Sequence, residues 1–333
     1  MRIGFLGVGR IGRSHAEVVH RHPQVEELVL ADACSGRADE LAALLGCRAV
    51  ADFDEMVAAD VDALVIASAT ASHADLIVAG ARAGLAVFCE KPVALDVAGT
   101  RRVAEEVALA GVEVQIGFQR RYDAGYQAAR AALRDGRIGE LHRVHQVTAD
   151  EKPPHPSYIP TSGGFFRDCH IHDFDILRWV TGREVVDVTA LGSNRGADFF
   201  RTGGDADNTA AVLRLDDDTL VTLQGSRYNG AGHDVRMELA GTKATWVVGL
   251  DDRTPMTSAE EGVNFPDGEP WPDFWARFTP AYRAEVNAFM KVASGAAPSP
   301  CTVEDALAAL YVAEAAEVSM REGRRVEIAE VSK

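Results

Sequence analysis

A glycine-spaced turn near the start of the chain limits what the rest can become. Met1-Arg2-Ile3-Gly4-Phe5-Leu6 is a short apolar strand that runs through Gly7-Val8-Gly9-Arg10-Ile11-Gly12 into the helical pattern of Arg13-Ser14-His15-Ala16-Glu17-Val18-Val19. In this arrangement Gly7 permits a tight turn, Gly9 lets a pyrophosphate approach the backbone, and Gly12 lets helix and strand pack closely. The unpaired N–H groups and positive dipole end of the new helix then face the phosphates. Such glycines also mark ordinary turns, but between a strand and a helix they read as a dinucleotide fingerprint. A second strand, Leu28-Val29-Leu30-Ala31, ends in Asp32, twenty residues after Gly12. A carboxylate there accepts hydrogen bonds from both ribose hydroxyls and repels a 2′-phosphate, which predicts NAD over NADP. Arg37 lies close enough to soften that preference, so NADP stays open as a secondary cofactor.

The first third alternates strand and helix. Helices are predicted at Ala38–Leu45, Asp54–Ala58, Ala74–Ala83 and Val97–Ala110, with strands at Ala49-Val50, Ala63–Ala67, Leu85–Cys89 and Val112–Gly117. Ala63-Leu64-Val65-Ile66-Ala67 is continuously apolar, as a strand buried on both faces must be. Repeated β-α units specify a doubly wound parallel sheet, whose ligands bind at the carboxyl ends of the strands. Ala67, Ser68, Thr70, His73, Glu90 and Lys91 fall there and complete a predicted cofactor set of Gly7, Gly9, Arg10, Ile11, Gly12 and Asp32. Glu90-Lys91-Pro92 stands out among them, because a lysine delivered by a strand end beside a nucleotide implies chemistry on something bound next to it.

From about Leu141 the pattern changes to alternating strands, at Leu141–Val147, Val185–Leu191, Ala210–Leu215, Leu220–Gln224, Val235–Leu239 and Thr245–Val248. Asp216-Asp217-Asp218 reads as a solvated hairpin turn, not a metal site, since it joins two strands and has no clustered ligand beside it. Helices are predicted near Asp168–Val180, Ala281–Ala293 and Val303–Met320. The fold class is therefore α/β: an N-terminal Rossmann sheet over residues 1–120, then an α+β domain over 121–333 with a large, mostly antiparallel open sheet. The last helices are free to pack back on the first domain. An open sheet with one uncovered face is expected to find a second copy, giving a homo-oligomer, dimer or tetramer. The aromatic, proline-rich Phe265–Pro280 reads as a loop over the active site or an oligomer contact.

With 333 residues the chain exceeds one typical core. Its formal net charge of −16 opposes nucleic acid or an anionic membrane as partner. Five cysteines without C-x-x-C spacing read as reduced cytosolic thiols, and no apolar run is long enough to span a bilayer, so the predicted location is the cytoplasm.

A second chemical cluster is Gly163-Gly164-Phe165-Phe166-Arg167-Asp168-Cys169-His170-Ile171-His172-Asp173-Phe174-Asp175. A continuous helix here places Asp168, His172 and Asp175 on one face, with Ile171, Phe174 and Leu177 toward the core. An imidazole beside a carboxylate can act as a general base. His170 and His172 would point about 160–200° apart on a helix, which argues against a shared metal.

Four segments together resemble the glucose–fructose oxidoreductase/inositol dehydrogenase/rhizopine-catabolism (Gfo/Idh/MocA) family, most closely its myo-inositol 2-dehydrogenase branch. They are Gly7–Gly12, Glu90-Lys91-Pro92, Gly117-Phe118-Gln119-Arg120-Arg121-Tyr122-Asp123, and Gly163–Asp168 through His172–Asp175. The resemblance implies NAD(P)-dependent oxidation of a ring hydroxyl on a cyclitol or sugar. It also implies that Lys91 is the catalytic lysine, Asp168 the substrate-binding carboxylate and His172 the general base. Lys91 and the Asp168–His172 pair would then be two halves of a site carried by different domains. The bond before Pro92 is expected to be cis, and Arg121 to contact substrate hydroxyls.

Two segments depart from the family pattern. An R-D-P or R-N-P element is replaced by Asp150-Glu151-Lys152-Pro153-Pro154, and the tyrosine of a G-Y-D segment by His233 in Gly232-His233-Asp234. His155, Tyr158 and His233 are therefore candidates for an altered substrate rim, and a stereoisomer of myo-inositol, a pyranose or a keto-sugar stays open as substrate. A reading of another class, an NAD(P)-binding regulator without turnover, is disfavoured by the joint presence of Lys91, Asp168 and His172.

Overall fold

The computed structural model describes residues 1–333 throughout, and the chain divides into two compact units. Met1–Gln119 with Pro280–Leu307 form the first; Arg120–Thr279 with Ala308–Lys333 form the second.

The first unit opens with β1 (Arg2–Leu6), α1 (Arg10–His20), β2 (Glu27–Ala31), α2 (Arg37–Leu45), β3 (Arg48–Ala49) and α3 (Phe53–Ala58). It continues with β4 (Ala63–Ile66), α4 (Thr70–Arg82), β5 (Ala86–Glu90), α5 (Val97–Ala110) and β6 (Val114–Gly117). The six strands are parallel in the order β3-β2-β1-β4-β5-β6, so the winding reverses between β1 and β4. That reversal opens a crevice at the strand ends, where the fingerprint turn leaves β1. Ile3, Phe5, Leu28, Leu30, Val65 and Phe88 build the core, as their uninterrupted apolar runs require.

The second unit carries α6 (Ala124–Arg134), β7 (Leu141–Ala149), α7 (Phe165–Asp168), α8 (Ile171–Thr181), β8 (Val185–Ser193), α9 (Asp198–Thr202), β9 (Asn208–Leu215), β10 (Leu220–Ser226), β11 (Asp234–Gly241) and β12 (Thr245–Val248). Then follow α10 (Phe274–Ala293), α11 (Val303–Glu322), β13 (Val326–Glu327) and α12 (Ile328–Val331), with the boundaries between the units falling inside α10 and α11. The sheet order is β12-β11-β7-β10-β9-β8-β13, antiparallel except where β10 pairs β7. Alternation sends Val188, Leu213, Val221, Val144 and Leu239 to the buried face. One row on the opposite face runs Thr189, Val212, Thr222, His145, Glu238, with Leu191 and Leu220 also exposed.

Asp216-Asp217-Asp218 is the β9–β10 hairpin turn, with Asp218 in the left-handed region at φ 66°. Its carboxylates disperse: Asp217 pairs with Arg183 at 3.1 Å and Asp218 with Arg214 at 2.9 Å. Two features depart from expectation. Helix α10 starts at Phe274, not Ala281, because Asp273 caps it by accepting the Ala276 N–H at 2.8 Å; Pro280 is accommodated inside the helix. The last seven residues of Phe265–Pro280 are accordingly helix and not loop. The second departure is at Asp168–Val180, where α7 stops and α8 begins anew. No helix is long and apolar enough to cross a membrane.

Helix α8 is held by two adjacent arginines. Arg120 donates to Asp173 Oδ1 at 2.5 Å, and Arg121 grips Asp175 with Nε at 2.9 Å and Nη2 at 2.5 Å. All four side chains are 5% exposed or less. Burial opposes ionisation of Asp173, but Arg120, His170 and Thr148 hold its carboxyl below the usual carboxylate range. Arg121 is thus committed to the scaffold, a placement that gives no support to the expected substrate contact.

Removing one partner of a buried pair strands the other charge, so Arg121→Met is expected to cost about 3–5 kcal/mol in urea denaturation. Arg121→Met with Asp175→Leu should recover most of that loss. Arg102→Met, at the exposed pair with Asp75, should cost under about 1 kcal/mol.

Candidate active site

The fingerprint turn has the shape a dinucleotide needs. Gly7 sits at φ 90°, and a Cβ there would lie 2.4 Å from Ser68 Cα. A Cβ on Gly12 would fall 1.9 Å from the Gly7 carbonyl oxygen, whereas one on Gly9 would meet nothing within 4 Å. The turn is therefore closed toward the sheet at Gly7 and Gly12, and open at Gly9, where phosphates approach. Arg10, which is exposed, and the half-buried Ile11 begin α1 beyond it. Asp32 ties β2 to this turn: Oδ2 accepts the Val8 N–H at 2.7 Å and Oδ1 the Cys34 N–H at 2.8 Å. Arg37 reaches Oδ1 at 3.4 Å, so a cation stands beside the acid as the sequence anticipates.

Ala67 and Ser68 follow β4, and Thr70 opens α4. Ser68 Oγ lies 2.7 Å from Ser72 Oγ. His73 is buried, with Nδ1 2.7 Å from the Pro92 carbonyl and Nε2 3.2 Å from the Ser68 carbonyl. It clips the end of β4 to the Glu90-Lys91-Pro92 segment, a bracing part and not one that faces a nucleotide. Glu90 is braced from another side, its Oε1 2.6 Å from Nε2 of buried His15 on α1. Glu285 of α10 completes this cluster, the three groups offering ligand atoms within 4.8 Å of one another. Lys91, half-buried, follows directly after β5, and the Lys91–Pro92 bond is cis.

In the second unit the expected single helix face does not form. Asp168 ends α7 and His172 is the second residue of α8, the intervening His170 being fully buried. The break follows from His170, whose Nδ1 pairs with Asp173 at 2.8 Å and whose Nε2 meets Thr209 Oγ1 at 2.8 Å. Both ring nitrogens are employed in the core, so His170 is structural. Gly163 and Gly164, at φ 83° and 90°, turn the chain into α7.

Asp168 is held at both oxygens. Tyr158 Oη donates to Oδ1 at 2.8 Å, and Arg227 Nη2 donates to Oδ2 at 2.7 Å. Burial, and then the Asp168 charge, push the Tyr158 phenol well above its ordinary range, so it stays a donor. Arg227 is 3% exposed, lies over the Phe165 ring at 4.7 Å, and reaches Asp150 Oδ2 at 3.5 Å with Nη1. Burial opposes its charge, but Cys169, Asp168 and Asp150 raise its pKa above the normal arginine value. His233, 4% exposed, closes the series with Nδ1 3.3 Å from Asp150 Oδ1. Tyr158, Asp168 and His233 are thus brought into one chain of contacts; exposed His155 instead pairs with Ser157 at 2.8 Å. Arg227 and Asp150 escaped the sequence reading. Each stands just past a strand end, and only the pairing of β7 with β10 brings them together.

Two family models cover the chain: an oxidoreductase family NAD-binding Rossmann fold over residues 1–118 and a GFO/IDH/MocA C-terminal domain over 126–247. The chain belongs to the Gfo/Idh/MocA oxidoreductase family. It is an NAD-binding oxidoreductase, and the glycine turn and Asp32 fit that cofactor. It is 37% identical to an inositol 2-dehydrogenase of Rhizobium meliloti, with 99% of each chain covered. It is 32% identical to a scyllo-inositol 2-dehydrogenase (NAD(+)) of Bacillus subtilis, covering 98% of this chain and 96% of that one. A scyllo-inositol dehydrogenase from Lactobacillus casei, solved with bound NAD(H) and scyllo-inositol, superposes with a TM-score of 0.89 at 29% identity, with 99% of each chain covered.

Replacing Asp32 removes the acid that meets a 2′-phosphate and leaves Arg37 in place. Asp32→Ala is expected to lower the ratio of NAD to NADP affinity by about tenfold or more in fluorescence titrations. An unchanged ratio would refute the role given to Asp32.

Proposed function

We propose that this chain is an NAD-dependent dehydrogenase that oxidises a ring hydroxyl of a cyclitol, myo-inositol or a stereoisomer, to the ketone. The observation that carries this reading is the Asp168 carboxylate, fixed from one side by Tyr158 and from the other by Arg227, four residues before His172. A carboxylate held in this way is an acceptor of defined direction, which suits recognition of a polyhydroxylated ring. The relatives' substrates, inositol and scyllo-inositol, are of that class.

NAD, when bound, supplies the two-electron acceptor for the C–H bond that breaks. His172 takes the proton of the reacting hydroxyl, so that the C–O bond becomes a carbonyl as the hydride departs. Lys91 places an ammonium beside that oxygen and stabilises the negative charge that develops on it. Asp168 and Tyr158 orient the ring through a neighbouring hydroxyl, and His233 contributes to the same rim. Glu90, the residue before Lys91, is itself anchored by His15.

The open face of the second sheet supports assembly of this enzyme as a homo-oligomer. Leu191, Val212 and Leu220 are 66%, 50% and 54% exposed on adjacent strands, an apolar strip that a second copy would cover. Val212→Arg is expected to shift the mass measured by light scattering toward that of one chain. An unaltered assembly, or a wild type that is monomeric, would remove this face from consideration.

A panel of inositol isomers and pyranoses, run with NAD and with NADP, tests the activity through absorbance at about 340 nm. Cyclitols should turn over with NAD. Lys91→Ala and His172→Ala should each lower kcat by about 10²–10⁴-fold, the range for removing a general base or an electrostatic stabiliser. Turnover of pyranoses alone would reassign the substrate. No turnover at all with tight NADH binding would leave a nucleotide-binding regulator.

A further inference from the structure

The two segments that depart from the family pattern, 150–154 and 232–234, meet in the structure. Asp150 follows β7 and His233 precedes β11, and these strands are neighbours with Asp234 opposite Ala149. The pairing of His233 with Asp150 at 3.3 Å is therefore a product of the sheet register. Asp150 then shares the Arg227 guanidinium with Asp168. Further bonds fix the parts in place. The Arg227 N–H donates to the Asp207 carbonyl at 2.8 Å, the Asn229 N–H to the Asp150 carbonyl at 2.8 Å, and the His233 N–H to the Trp271 carbonyl at 2.8 Å.

We propose that His233, Asp150 and Arg227 form a positioning relay that locks the Asp168 carboxylate in one orientation and so sets which stereoisomers the site accepts. This inference rests on the reading of the chain as a cyclitol dehydrogenase. Cyclitol isomers differ only in configuration at their ring carbons, and so in the direction each hydroxyl takes from the ring. An acceptor discriminates between them only if it cannot turn to follow the hydroxyl. Tyr158 on Oδ1 and Arg227 on Oδ2 prevent that turn, and the planar fork of Arg227 is itself kept in register by Asp150. His233 is the far end of the series, and in this role it acts through Asp150.

Removing His233 releases Asp150, Asp150 then no longer holds Arg227, and Asp168 gains freedom. The links act in series, so breaking two should cost no more than breaking one. The test is a double-mutant cycle with His233→Leu and Asp150→Asn, reading kcat/KM for the preferred inositol isomer and the next best. Each single variant should lower the ratio between the two isomers by about tenfold, and the double variant by no more than either single. KM should move more than kcat, and NADH affinity should stay within about twofold. Arg227→Lys, which keeps the charge but loses the fork, should fall between wild type and Arg227→Gln. His233→Asn, which retains a donor near the Nδ1 position, should restore the ratio and so separates the relay from a folding defect. Additive losses, an unchanged isomer ratio in folded variants, or an equal fall in NADH affinity would overturn the relay. If the wild type oxidises no cyclitol, the cyclitol reading falls. The same cycle, run on two epimers of the pyranose that does turn over, then judges the relay separately.

Discussion

Two consecutive arginines, Arg120 and Arg121, determine where helix α8 can lie. They are the first residues of the second unit and engage Asp173 and Asp175, two residues apart on α8, inside a core where neither charge meets water. A guanidinium fork on a carboxylate has few satisfactory geometries, and two side by side leave the helix almost none. Asp173 also accepts from Thr148 at 2.8 Å and pairs with His170, so α8 is bound to β7 and to the segment preceding it through one carboxylate. Such buried pairs add little net stability, since desolvation offsets most of their attraction. Their effect here is positional. His172 lies next to Asp173 in the chain, and its place is inherited from that anchor.

Two kinds of polar group recur in this molecule and do different work. Arg120 and His170 with Asp173, and Arg121 with Asp175, pair within the second unit's core. Asp168, Tyr158, Arg227, Asp150 and His233 form a second series that ends in half-exposed Tyr158, and it is the one to which the proposed function assigns the substrate. The first unit shows the same division. His73 and the His15–Glu90 pair brace the strand ends, whereas the Gly9 backbone stays open.

The legibility of these parts in the sequence follows their range. The glycine turn, the apolar runs of the parallel sheet and the Asp216–Asp218 hairpin are local, set by backbone conformation or by side-chain period, and they read correctly. Asp168 to Asp175 read as one helix because the hydrophobic period continues across the break. What interrupts it is the bond of His170 to Thr209, thirty-nine residues away, of which the local pattern holds no trace. Arg121 reads as a substrate contact for a related reason: an arginine in a family-like motif gives no sign of whether its partner is a ligand or an aspartate fifty-four residues on. Arg227 and Asp150 are the furthest case. They sit seventy-seven residues apart, outside any motif, and become a pair only through the parallel register of β7 and β10.

The chain's choice of basic residues sharpens the contrast between scaffold and chemistry. Of its 34 basic side chains only five are lysines, and Lys91 is one of them. At Asp168, Asp173 and Asp175 the partner is arginine, whose fork binds two oxygens or bridges two acids and stays charged when buried. An alkoxide becoming a carbonyl is a different target, a single oxygen whose charge rises and falls within one step. In the proposed reaction a compact ammonium with three rotatable donors follows that oxygen better than a rigid fork does. In a chain that uses arginine almost everywhere, a lysine directly after β5 is the basic residue that the proposed reaction, with its single reacting oxygen, calls for.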